Sequence, residues 1–111
     1  SSAASDVYKR QLLMSADQHY MIAKALYKQG RYEEAIRELD EAIRLDPYNP
    51  DYYNEKGMVL TELGRYREAI VEFDKALQLD PNYSIAHINK GGTHCTSWGN
   101  TKTLLRKLTR L

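Results

Sequence analysis

One cysteine, one tryptophan, one phenylalanine and three prolines stand in a chain of 111 residues, and each scarcity excludes something. Cys95 alone forms no internal disulfide, and it falls short of the several ligands at fixed spacing that a zinc site needs. No apolar run approaches the ~20 residues that cross a bilayer. The first residues show no charged segment leading into an apolar stretch and a small-residue cleavage site, so localisation stays open with the cytoplasm as the default. Neither sign of charge dominates, since the formal net charge is +1. The distribution is uneven, however: residues 12–91 hold ten Lys/Arg against fourteen Asp/Glu, whereas residues 92–111 hold four basic residues and no acid. A basic end of this kind ordinarily reads as a tail for nucleic acid or an anionic surface.

What the chain has in quantity is tyrosine, nine residues, and a repeat. GRYEEAIRELDEAIRLDP at 30–47 returns as GRYREAIVEFDKALQLDP at 64–81, an offset of 34, and over one full period 14 of 34 positions are identical. Repetition at this period signals stacked helical units, each burying its apolar face only against its neighbours. Ser15 with Gln18 forms a capping-box start, and Ile22, Ala23, Ala25 and Leu26 recur at helical spacing up to Gly30. Tyr32, Ala35, Ile36, Leu39, Ala42, Ile43 and Leu45 then make one apolar face of a second helix, which Asp46-Pro47 ends. Asn49-Pro50 restarts the cycle with an N-cap and a first-turn proline. Small residues (Ala23, Ala35, Ala42; Gly57, Ala69, Ala76) mark close helix crossings, with Leu26, Tyr32, Leu60, Tyr66 and Phe73 filling the space beside them.

This series resembles the tetratricopeptide repeat family. Its pattern is met by Ala23, Leu26, Gly30, Tyr32, Ala35, Leu39, Ala42 and Pro47, and again by Gly57, Leu60, Gly64, Tyr66, Ala69, Phe73, Ala76 and Pro81. The usual early tryptophan is replaced by His19, Tyr53 and His87, and for the histidines packing is the expected role. The resemblance implies an all-α fold, tandem antiparallel helix pairs stacked as a right-handed α-solenoid. Unit one is 16–49, unit two 50–83, and 84–91 begins a third. Residues 1–15 read as a leader and helix start, and 92–111 as an aberrant basic tail.

Both ends depart from the repeat. SSAASDVYKRQ at 1–11 resembles a translated adapter of transposase-based sequencing libraries, and such scars are set aside before fold reasoning. The third unit loses its pattern at Gly92. Reading across codon boundaries from there, the pair His94-Cys95 forces Leu and the pair Trp98-Gly99 forces Gly. Synonymous codons give DALYKLGKYED, with that Leu and Gly two periods beyond Leu26 and Gly30. Residues 92–111 are thus expected to be a wrong-frame translation, in which His94, Cys95 and Trp98 are neighbours by accident rather than a metal or thiolate site. The run TKTLLRKLTRL is expected to form at most a weakly amphipathic helix, with no nucleic-acid or membrane role.

No catalytic, cofactor or metal site is expected. Gly30, Gly57, Gly64 and Gly91 are explained by the repeat, and Glu33, Glu34, Glu38 and Glu41 form a solvated outer face offset by Arg37 and Arg44. The resemblance implies a concave groove lined by the first helix of each pair. Counting along those helices places Tyr20, Lys24, Tyr27 and Lys28 from unit one there, with Asn54, Met58, Thr61 and Glu62 from unit two, then Ile88 and Asn89. Tyrosines beside lysines suit a peptide or partner helix with acidic and apolar groups. Chaperone-binding members of the family grip a carboxylate with Lys, Asn and Arg. The matching positions here, Tyr20, Lys24, Glu55, Ile85 and Asn89, have other residues, which argues against that specificity. The expected function is a protein interaction module. The alternative is a scaffolding or regulatory segment of a larger enzyme whose catalytic domain lies elsewhere. The incomplete third unit is expected to promote self-association through its exposed end.

Overall fold

A computed structural model describes residues 14–109, so the adapter-like residues 1–11 lie outside the described part. It contains five helices and, among the described residues, no strand: α1 Ala16–Lys28, α2 Tyr32–Leu45, α3 Pro50–Glu62, α4 Tyr66–Leu79 and α5 Ser84–Thr109. Local chemistry sets the boundaries. At α1 the Ser15 hydroxyl accepts from the Gln18 N–H at 3.2 Å while the Gln18 side chain accepts from the Ser15 N–H at 2.8 Å, a complete capping box. Asn49 caps α3 by accepting from the Asp51 N–H at 3.0 Å, with Pro50 in the first turn.

The turns inside each pair use glycine because the backbone turns left-handed there, with φ of 76° at Gly30 and 77° at Gly64. Arg31 N–H then reaches Leu26 C=O at 2.9 Å and Gly30 N–H reaches Tyr27 C=O at 3.0 Å; Arg65 and Gly64 repeat both bonds to Leu60 and Thr61. This pair of bonds satisfies the last helical carbonyls and folds the next helix back on the first.

Each helix packs on the next, and the first helices also touch one another in series, α1 on α3 and α3 on α5. Ala23, Ala35, Leu39 and Val59 form one buried cluster, and Leu60, Ala69 and Phe73 the next. At the second crossing only glycine fits: a Cβ on Gly57 would lie 2.5 Å from the Phe73 ring. Polar ties recur at the repeat period. Lys56 pairs with Asp40 at 2.7 Å, and one period later Lys90 pairs with Asp74 at 2.6 Å. Tyr53 and His87, at the position of the missing tryptophan, both bond a proline carbonyl, Tyr53 Oη to Pro47 at 2.8 Å and His87 Nε2 to Pro81 at 2.9 Å. The packing role expected of the histidines is thereby refined: His87 is exposed, and His19 links helices through Nδ1 to Glu38 at 2.6 Å.

Past Gly91 the chain stays helical. Four threonine hydroxyls in this stretch bond carbonyls at 3.0 Å, Thr96 to Gly92, Thr101 to Ser97 and Thr103 to Gly99 four residues back, and Thr109 to Arg106 three back. Over its 26 residues α5 buries only Ala86 and Thr93, and it leaves Trp98, Leu104, Leu105 and Leu108 exposed.

Candidate functional site

The groove side of α1, α3 and α5 opens a cleft of about 320 Å³. Six of the residues expected to line a groove meet there: Tyr27, Met58, Thr61, Glu62, Ile88 and Asn89. Phe73 of α4, Gly92, Thr93 and Thr96 complete the wall. The last three belong to the segment that breaks the repeat pattern, so no periodicity argument pointed to them. Thr61 and Thr93 share a hydroxyl hydrogen bond of 2.8 Å across the α3–α5 seam.

The other four expected residues are placed differently. Asn54 is a support beneath the groove, only 4% exposed, where its Oδ1 accepts from Asn89 Nδ2 at 3.0 Å. Sequence counting put it on the surface because its partner, Asn89 of α5, lies 35 residues further along the chain. Tyr20 lies half-buried against Tyr52, ring centroids 5.1 Å apart, and the Lys24 ammonium sits 5.3 Å from the Tyr20 centroid. Lys28 is exposed and lies outside the cleft. Tyr27 both packs on Tyr32, at 5.7 Å, and donates from its hydroxyl to Glu62 at 3.5 Å, so it takes the structural and the lining role together.

Three carboxylates, Asp17, Asp51 and Glu55, lie close enough to Tyr20 to act on its phenol. Asp17 accepts from the Tyr52 hydroxyl at 2.6 Å, and Asp51, one repeat period later, accepts from Tyr83. Glu55, one turn beyond Asp51, is 8% exposed. Burial raises its pKa above the ordinary carboxylate value and Asp51 adds to that, while Lys24 opposes it. The phenols respond in kind. Burial, followed by the charges of Glu55, Asp51 and Asp17, pushes Tyr20 up to about 12. Burial and the bond to Asp17 push Tyr52 up to about 12, and burial with Glu62 raises Tyr27.

A tetratricopeptide repeat sequence profile matches residues 20–84, more than half of the chain. The chain belongs to the tetratricopeptide repeat family. No curated protein is significantly similar to it over its sequence. Among solved structures, this tetratricopeptide repeat chain is similar to MamA 41-end from Desulfovibrio magneticus RS-1, with 33% identity and a TM-score of 0.70 over 73% of this chain and 46% of that one. It is similar to the TPR2B domain of yeast Sti1 in a pHsp70 complex, with 25% identity and a TM-score of 0.71 over 73% of this chain and 65% of that one. The second TPR of Spaghetti (RPAP3), bound to the HSP90 peptide SRMEEVD, aligns over 92% of this chain and 87% of that one at 25% identity and a TM-score of 0.70. The chain thus spans about half to two-thirds of the length of the first two. Its repeats are those of the family.

Proposed function

We propose that the chain is a protein interaction module that holds an extended peptide or a partner helix in the groove along α1, α3 and α5, with no chemistry of its own. The observation that carries this reading is the convergence of Tyr27, Met58, Thr61, Glu62, Ile88 and Asn89 from three separate helices on one cleft. Met58 and Ile88, the latter 72% exposed, offer apolar area, and the amide and hydroxyl groups beside them can pair with a peptide backbone. The Sti1 and Spaghetti structures, each with a peptide or protein bound to a similar repeat array, support it. The peptide in the Spaghetti structure is acidic. Here the matching clamp positions hold Tyr20, Lys24, Glu55, Ile85 and Asn89, a set that lacks the residues gripping a C-terminal carboxylate, which argues against a ligand of that kind. The alternative, a scaffolding segment of a larger enzyme, is compatible with the same groove, and the coding sequence on either side of this segment decides it.

The test begins with a ligand selected from a random peptide library against the full chain. Tyr27→Ala removes a half-buried ring from the cleft wall and should weaken that ligand by ~1–2 kcal/mol in calorimetry, with a comparable loss for Met58→Ala. Affinity unchanged in both variants removes the groove from the account.

A further inference from the structure

Glu55 carries a charge in a place where charge is costly. It is 8% exposed, no hydrogen bond or ion pair among the described residues closes on its carboxylate, and its oxygens, unlike the fully covered Oε2 of Glu72, still reach solvent. A carboxylate held at the edge of solvent without a partner gives up part of its hydration and gains no pair in return. Its acidic neighbours differ from it in this respect. Asp17 is satisfied by Tyr52, Asp51 by Tyr83, and Glu62 lies within reach of the Tyr27 hydroxyl. The ammonium that opposes its raised pKa belongs to Lys24, which rests over the Tyr20 ring instead of closing on Glu55. That position shows the rim of the groove already accommodating a cation on an aromatic face.

Resting on the reading that this groove binds a peptide, we infer that Glu55 is the specificity subsite and that it takes an arginine side chain of an extended ligand. Three carboxylates, Asp17, Asp51 and Glu55, act on the Tyr20 ring position and Lys24 opposes them at Glu55, so the local field there favours a cation. Arginine suits the site better than lysine. Its guanidinium is weakly hydrated, so entering a half-buried rim costs less, and its planar fork pairs with both carboxylate oxygens while its face lies on a tyrosine. An apolar residue nearby in the ligand would then reach Met58 and Ile88 in the adjoining cleft. The chain's own Lys24 acts as a competing cation at the rim, and a bound arginine displaces it.

A random dodecapeptide library displayed on phage, selected against the full chain, supplies the probes, which are then synthesised with capped ends and titrated by calorimetry. The expected result is enrichment of arginine beside an apolar residue. Replacing that arginine by citrulline, its neutral isostere, should cost about tenfold to a hundredfold in affinity, and Glu55→Gln should cost the same with no further loss when both are combined. Lys24→Gln should strengthen binding severalfold, because the internal competitor is gone. The citrulline exchange alters only the ligand, so it stays decisive even if Glu55→Gln impairs folding. If the selected peptides are acidic and are weakened by Lys24→Gln, the arginine subsite is overturned and the groove reading stands. Arginine peptides indifferent to both citrulline and Glu55→Gln overturn it equally. Selected peptides that ignore Tyr27→Ala and Met58→Ala refute the groove, and this inference with it.

Discussion

At Glu55 burial and ionisation conflict within a single residue. Its carboxyl has a pKa above the ordinary value of 4.5 because burial disfavours the ion. A raised carboxylate pKa means the folded state holds its proton more tightly than the unfolded state. The associated stability is therefore complete below 4.5 and is lost as pH rises through the folded value. Glu55→Gln, which stays neutral throughout, should raise the urea midpoint relative to the parent chain at neutral pH. The gain should vanish below 4.5, where the parent glutamate is also neutral. A midpoint that falls at neutral pH would show that Glu55 already has an ionic partner. In the sequence Glu55 stands at one of the positions equivalent to the family's clamp. Its burial was not legible there, since that depends on residues far apart in the chain packing around it. Asn54 is the reverse case, polar and at a groove register in the sequence, yet covered once α5 lies across α3 and Asn89 bonds to it.

At the scale of elements, the boundaries of α1 to α4 could be read directly because each is set by residues a few positions apart: Ser15 with Gln18, Asn49 with Pro50, and the glycines at φ of 76° and 77°. Helix α5 shows where such reading ends. The repeat pattern breaks at Gly92, but a broken repeat is not a broken helix, and with no proline after Pro81 the backbone continues to Thr109. Its inner face changes the groove through Thr93 and Thr96, while Trp98, Leu104, Leu105 and Leu108 remain 52–58% exposed. Nothing from a following helix covers them within the described residues. Two consequences are expected if residues 92–111 are out of frame. The apolar end should drive concentration-dependent self-association in sedimentation velocity, reduced by Leu104→Asp with Leu108→Asp. Restoring DALYKLGKYED from residue 92 and completing its second helix should raise the urea midpoint and slope by adding one interface, a gain of roughly a few kcal/mol. An equal or lower midpoint would show that α5 as it stands already completes the fold.

Over the whole molecule, the extents of 74 × 29 × 17 Å describe a stack rather than a globule. Some ties between units recur: Asp40 with Lys56 becomes Asp74 with Lys90 one period later, and Asp17 and Asp51, one period apart, each accept from a phenol. Copying of this kind aligns α1, α3 and α5 side by side, and it is the alignment that makes a groove from residues 27 to 96. The opposite face, where Arg37, Arg44 and Val71 lie exposed on α2 and α4, offers a smaller hollow of about 240 Å³ at Asp40, Lys56 and Glu72, whose charges already pair with one another. The most direct test is an amide chemical-shift map of the labelled chain titrated with the library-selected peptide. The account predicts saturable shifts concentrated at Tyr27, Met58, Thr61, Ile88 and Asn89, with α2 and α4 quiet on their outer faces. Shifts that instead cluster around Arg37, Arg44 and Val71 would contradict it.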